Sequence, residues 1–228
     1  MISRLILLFL FPIFLLAQNT VDEQGKRQGK WMQEHPNGQL RYEGQFKNDV
    51  PVGIFKHYDL KGNITANLEY FNEGKSVAAR LYHTNGKLQA VGLYSQEKKD
   101  SLWRYYNEKE ILISEETYSS GKLHGTARTY YKNGEVAERF IYVEGVKDGE
   151  WKKFFYNGAD MVKCLYSDNQ LNGRYIRYYK DGRREFEGRY KNDLKDGIWK
   201  YYLPNGDIDY ELDYDNGRLL TELELEND

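Results

Sequence analysis

Cysteine is almost missing. Cys164 is the only one in 228 residues, so no intramolecular disulfide can brace the fold, and strand pairing and aromatic packing must do that work. Prolines number four and histidines four. His35 and His83 hold equivalent places in the pattern below but sit about 19 Å apart at ordinary strand spacing, too far to share one metal ion. With His57 and His124 they read as exposed strand histidines, and no metal or cofactor is expected. Charge of one sign is lacking too: 33 Lys and Arg against 35 Asp and Glu leave a net charge of -2, which gives no global reason to bind nucleic acid or an anionic bilayer. Ser and His form no recognisable triad, and Cys164 has no partner as a nucleophile. Its role is to fill space beside Trp151. A phosphate-cradling glycine loop needs a strand that leads into a helix, and no helix is predicted. The chain is read as a non-enzyme without catalytic residues.

A long hydrophobic run is also absent. The longest, Leu5 to Leu16, covers about twelve residues where a spanning helix needs about 20. Arg4 precedes it, and Ala17 then Gln18 follow. This is the pattern of a signal peptide over residues 1–17 with cleavage between Ala17 and Gln18, and it predicts an exported protein of the periplasm, cell surface or medium.

What is abundant is Tyr and Gly, 21 of each. Turn glycines stand at Gly38, Gly62, Gly86, Gly134, Gly158, Gly182 and Gly206, separated by multiples of 24 residues, with Glu110 in the one missing place. Eight residues after each marker stand Phe46, Tyr70, Tyr94, Tyr118, Tyr142, Tyr166, Tyr190 and Tyr214. Seven before it, Trp31, Phe55, Trp103, Trp151, Tyr175 and Trp199 fill six of eight places. Glycines arrive too often for helices, and the alternation within a unit is that of a half-buried strand, so each unit is a β-hairpin closed by an Asn-Gly or Asp-Gly turn. The expected fold is all-β: an elongated, single-layer antiparallel meander of eight 24-residue hairpins. A lead-in covers residues 18–28, the repeats 29–220, and an acidic capping strand 221–228. Sixteen strands would extend about 75 Å.

The motif G-x-W-x-x-aromatic-x-x-N-G, with an aliphatic residue after it and a Tyr eight residues past the turn glycine, stands in residues Gly149–Gly173 and Gly197–Gly217, and the second copy ends in Y-x-N-G. It resembles the MORN-repeat variant of many bacterial proteins, which include a group described as antitoxins of toxin-antitoxin systems. The resemblance covers about residues 29–220 and implies a twisted sheet of hairpins used for binding or scaffolding, with no catalytic residue to carry over.

A two-residue turn at each marker would set Trp31 opposite Gly44, Tyr175 opposite Gly188, Trp151 opposite Cys164 and Ala127 opposite Phe140, large against small. The aromatic columns, Trp31, Trp103, Trp151 and Trp199 with Tyr70, Tyr94, Tyr118, Tyr142, Tyr166, Tyr190 and Tyr214, are read as a structural ladder. The same register sets Arg104 against Glu115 and Lys200 against Glu211, but Arg128 against Arg139 and Lys152 against Lys163. Like charges face to face are unfavourable. Arg128, Arg139, Lys152 and Lys163 are therefore the candidate patch for an anionic partner. Val77 and Ser101 replace unit-opening glycines, Ala79 replaces the Trp, and the turn at Glu110, lacking glycine, is expected to be wider. The function expected is an exported scaffold or protein-binding module. Alternatives are a cell-wall or polysaccharide binder using the aromatic columns, as other Trp- and Tyr-rich repeats of shorter period do, or an antitoxin-like protein that neutralises a toxin. Neither nucleic-acid nor specific membrane binding is evident.

Overall fold

A computed structural model describes residues 18–223. The leader assigned to residues 1–17, Ala17 included, lies outside them, as does the end of the capping strand, 224–228. The described chain is all β, with twenty antiparallel strands in one open sheet. It begins with Thr20–Val21 against Arg27–Glu34 and ends with Ile208–Asp215 against Arg218–Leu223. Between them the strands follow one another as in a meander, except that Val146–Lys147 and Gly149–Phe154 both lie against Val136–Val143, and Gln170–Leu171 and Gly173–Tyr178 both against Asp160–Ser167. There is no second layer, and among the described residues only two large side chains, Trp103 and Trp199, have no exposed surface.

The expected register holds, reached by a different route. Gly38 N–H donates to His35 O at 2.9 Å and His35 N–H to Gln39 O at 2.7 Å, which makes a three-residue loop in which only Gly38 is left-handed, at φ +80°. A third loop residue would displace the pairing by one. A bulge restores it: Gln33 pairs with Tyr42 and Glu34 with Leu40, leaving Arg41 as the extra residue. Trp31 therefore faces Gly44, Tyr175 faces Gly188, Trp151 faces Cys164 and Ala127 faces Phe140. The two-residue turns expected at the markers occur instead between units. Asn48-Asp49 (φ +53° and +67°) and Asn216-Gly217 (φ +46° and +82°) are examples, with both residues left-handed as the hairpin twist demands.

Asn at the marker turns thus serves a purpose other than positive φ. The Asn37 side-chain oxygen accepts from Gln39 N–H, and its amide donates to Leu60 O in the next unit at 2.9 Å. Asn85 and Asn133 donate likewise to Glu108 O and Tyr156 O. His35 and His83 reach Tyr58 O and Tyr106 O, and the Tyr131 and Tyr179 hydroxyls donate to Phe154 O and Tyr202 O. These histidines are half-buried turn braces rather than exposed strand residues. All these bridges run from an odd unit to the even one after it. Units are stitched in pairs of 48 residues.

After most between-unit turns the incoming strand carries a wide bulge. Gln45 pairs with Val52 and Glu43 with Lys56, so residues 53–55 lie opposite Gly44, with Gly53 at φ +65°. Ser101 keeps that conformation at φ +58° without being glycine. Val77, β-branched, does not take it. There the ladder runs unbroken from Phe71–Ser76 to Ala66–Leu81, and the two surplus residues move into a four-residue turn, Asn72 to Lys75. The turn at Glu110 is not wider. Glu110 N–H donates to Asn107 O at 2.8 Å, and Glu110 itself adopts φ +60°.

The wide bulge decides what covers the residue six after a marker where it is glycine, as at Gly44, Gly92 and Gly188. Although Trp31 is the register partner of Gly44, the ring lying on Gly44 is that of Phe55 on the following strand. Trp103 lies on Gly92 and Trp199 on Gly188 in the same way. None of these three glycines is left-handed. They are glycine because an added Cβ at Gly92 would sit 2.1 Å from the Trp103 ring. Gly92→Ala should cost about 3 kcal/mol by overpacking, read as a lower urea midpoint with a red-shifted tryptophan emission. Ser101→Gly and Glu110→Gly relieve left-handed backbone without touching the ring row. Each should raise stability by about 0.5–1 kcal/mol in the same assay.

Candidate functional site

Successive residues of a strand point to opposite sides, so a one-layer sheet presents two faces of different chemistry. One carries the rings. Tyr94 meets Trp103 edge-on at 4.9 Å between centroids, Tyr190 meets Trp199 at 5.0 Å, and Trp151 meets Tyr166 at 5.9 Å. The indole N–H groups of Trp103 and Trp199 donate to Leu93 O and Arg189 O. Lysines cap the rings: Lys99 Nζ lies 4.8 Å from the Trp103 ring and donates to Tyr105 OH at 2.7 Å, and Lys195 repeats this over Trp199 and Tyr201. Cys164, buried on this face, has its thiol pushed up to about 11 by burial. The ladder residues are spent on one another.

The opposite face carries one unbroken cross-strand row. From Glu43 it passes through Lys56, Asn67, Arg80, Val91, Arg104 and Glu115, and beyond the four central cations it continues through Ile176, Glu187 and Lys200 to Glu211. At its centre Glu115 pairs with Arg128, Arg128 with Arg139, Arg139 with Lys152 and Lys152 with Lys163. The four candidate cations thus occupy adjacent strands on one face. Elsewhere no two cations are neighbours in the row: Asn67 and Val91 separate Lys56, Arg80 and Arg104, and at the far end acid and base alternate, with Lys200 Nζ 2.8 Å from Glu211 Oε1.

Three carboxylates share the central cations: Glu115, which the sequence reading set against Arg104, and Glu150 and Asp160, which it did not single out. Glu115 accepts from Tyr130 OH at 2.7 Å and Arg104 Nε at 2.8 Å, and Arg128 is left at 3.7 Å. Glu150 holds both Arg139 and Lys152, the latter at 3.2 Å. Asp160 binds Lys163 at 2.6 Å. Five cations therefore meet three carboxylates, and Arg139 Nε is covered yet without a partner. Glu150 and Asp160 stand at other repeat positions than the cations, which is why counting down one column missed them. The signal was present in the register: Glu150 lies two residues before Lys152, on the same side of the strand.

Other features converge less. The concavities of this face are open dents, one of about 410 Å³ between Lys30, Met32, Glu43 and Lys56 and one of about 500 Å³ between Arg174, Glu187, Arg189 and Lys200. Among the described residues no three His, Cys, Asp or Glu side chains gather as metal ligands.

Titration follows the geometry. The Tyr130 hydrogen bond, then that of Arg104, holds the Glu115 carboxyl below its ordinary value, while burial and this bond push the Tyr130 phenol up to about 12. Glu187 is pushed up by burial but lowered on balance by hydrogen bonds from Arg174 and Tyr202. A depressed carboxylate stabilises the fold above its unfolded value near 4.5, and that contribution disappears as pH falls through the folded value. Below about pH 4.5 the urea midpoint of the parent protein should therefore drop more steeply than that of Glu115→Gln.

The MORN repeat variant model matches residues 27–48, 123–144 and 195–216. Each match opens eleven residues before a turn glycine, Gly38, Gly134 or Gly206, so the three are in phase. No curated protein matches the chain. Similar solved structures include TarM, 15% identical, with 39% of this chain and 18% of TarM covered at a TM-score of 0.31. A mutant of S. aureus TarM in complex with Fondaparinux, alpha-GlcNAc-glycerol and UDP is 14% identical, covering 42% of this chain and 19% of that one at 0.33. TcdB2-TccC3 is 13% identical, covering 80% of this chain and 14% of its own at 0.20. This chain spans no more than 19% of the length of any of the three. The chain therefore carries segments that match the MORN repeat variant at three places, in phase on one 24-residue frame of hairpins.

Proposed function

We propose that this protein is an exported, non-enzymatic scaffold that docks a partner protein on the charged face of its sheet. The observation that carries the reading is the run Arg128, Arg139, Lys152, Lys163 across four adjacent strands. Folding gains nothing from like charges in register, and elsewhere the same row keeps an acid or a neutral residue between its cations. Arg and Tyr are also the side chains that protein interfaces favour, and Tyr130 and Tyr178 flank the run. Export rests on the Leu5–Leu16 run with Arg4 before it. The glycan alternative draws less support, because Trp103 and Trp199 have no exposed ring to stack on a sugar.

The test is capture of envelope and medium proteins on the immobilised protein, on Arg128→Glu/Lys152→Glu, and on Lys132→Glu/Lys180→Glu, an equal charge change on exposed turns. All three are checked for the β-sheet circular dichroism signal. Partners recovered by the parent and the turn variant should fall at least about tenfold on the row variant, as for removal of charges from a complementary interface. Equal recovery on all three overturns the reading. So does a partner set that survives on the row variant.

A further inference from the structure

Resting on that reading, we infer that the charged row takes an acidic α-helix of the partner, lying across the strands with one carboxylate per helical turn. The spacing carries the inference. Neighbouring strands stand about 4.8 Å apart, so the four cations extend about 14 Å in a line perpendicular to the strands. A helix advances about 5.4 Å per turn, and acidic residues at i, i+4, i+7 and i+11 extend about 16 Å. That excess is small enough for Arg and Lys side chains to absorb. An extended peptide presents same-side residues about 6.8 Å apart, about 20 Å for four, and falls a whole position out of step by the fourth cation.

The flanks fit the sides of such a helix. Ile141 and Leu165 lie along one edge of the cation run, as the partners of Thr126 and Glu150, and Leu165 is 45% exposed. Tyr130, Phe154 and Tyr178 lie along the other. Apolar residues flanking the acidic stripe of a helix would meet both edges. The chain's own acids do not match the cations one for one. Both Glu115 oxygens are engaged by Tyr130 and Arg104, so the Arg128 guanidinium is held only by a 3.7 Å charge contact. One carboxylate, Glu150, serves two cations, Arg139 and Lys152. A row with five cations and three carboxylates attracts a partner that supplies the missing acids.

Three probes decide the matter by fluorescence anisotropy at low and high salt. The first is a stapled 18-residue helix with Glu at i, i+4, i+7 and i+11 and Leu beside them. The second is a peptide of the same composition with Glu at alternate positions and prolines that bar the helix. The third is an oligogalacturonate, whose carboxylates belong to a glycan. The inference expects the helix to bind at least about tenfold more tightly than either other probe, to weaken at least about tenfold on Arg128→Ala/Lys152→Ala, and to weaken with salt, while Lys132→Glu/Lys180→Glu leaves it unchanged. Equal binding of helix and extended peptide overturns it, as does tighter binding of the oligogalacturonate. If the helix does not bind although partner capture still depends on the row, the helical partner is wrong and the scaffold reading stands. If capture is independent of the row, both fall.

Discussion

A sheet with one layer has nothing to lay over its apolar face, so every ring on that face must be covered by the strand beside it. Trp103 lies on Gly92, Trp199 on Gly188 and Phe55 on Gly44, each ring occupying the volume a side chain would have filled. This contact sets the terms for the rest. It requires a glycine with ordinary backbone angles at one place, a large ring on the following strand, and a local widening of the ladder that brings the ring across. The wide bulge supplies the widening, and the left-handed residue at its start, Gly53, Ser101 or Gly197, lets the chain make it. Stability is then local, ring by ring, as expected of an array in which each unit touches only its neighbours.

Such packing also divides labour between the faces. Rings, capping lysines and the buried Cys164 belong to the side that holds the array together. The other side is released from that duty, and its side chains answer mainly to each other and to solvent. A row in strict cross-strand register can keep its cations apart at no cost, and its flanks do, with acids or neutral residues between them. Its centre does not, and the carboxylates that moderate it are drawn from neighbouring positions and shared. An interaction surface of this kind needs no cavity.

Much of this was legible in the chain. The marker glycines showed the frame, and the alternation of Trp and Tyr with polar residues assigned each strand its two sides. Cross-strand partners such as Lys152 and Lys163 followed by counting. What misled was the assumption that Asn-Gly means a two-residue turn: Asn37 holds its turn through its side chain, and the loop has three residues. The pairing survived because Arg41 is extruded as a bulge, an offset invisible in the residue types. Glu110 shows the converse, a missing glycine without a wider turn, because neighbouring units hold the hairpin in shape and the backbone accepts the left-handed angle.

By itself the sequence determined the 24-residue unit, the order of the strands and which residues share a face, because hairpin connection and the two-residue alternation of a strand are local properties of the chain. The tertiary structure decided which ring covers which glycine, how odd and even units are stitched through Asn, His and Tyr, and that Glu115, Glu150 and Asp160 are shared among five cations. Those contacts join residues on different strands and at different repeat positions. Their partners depend on how far a bulge displaces one strand along the next, and no column of the repeat records that displacement.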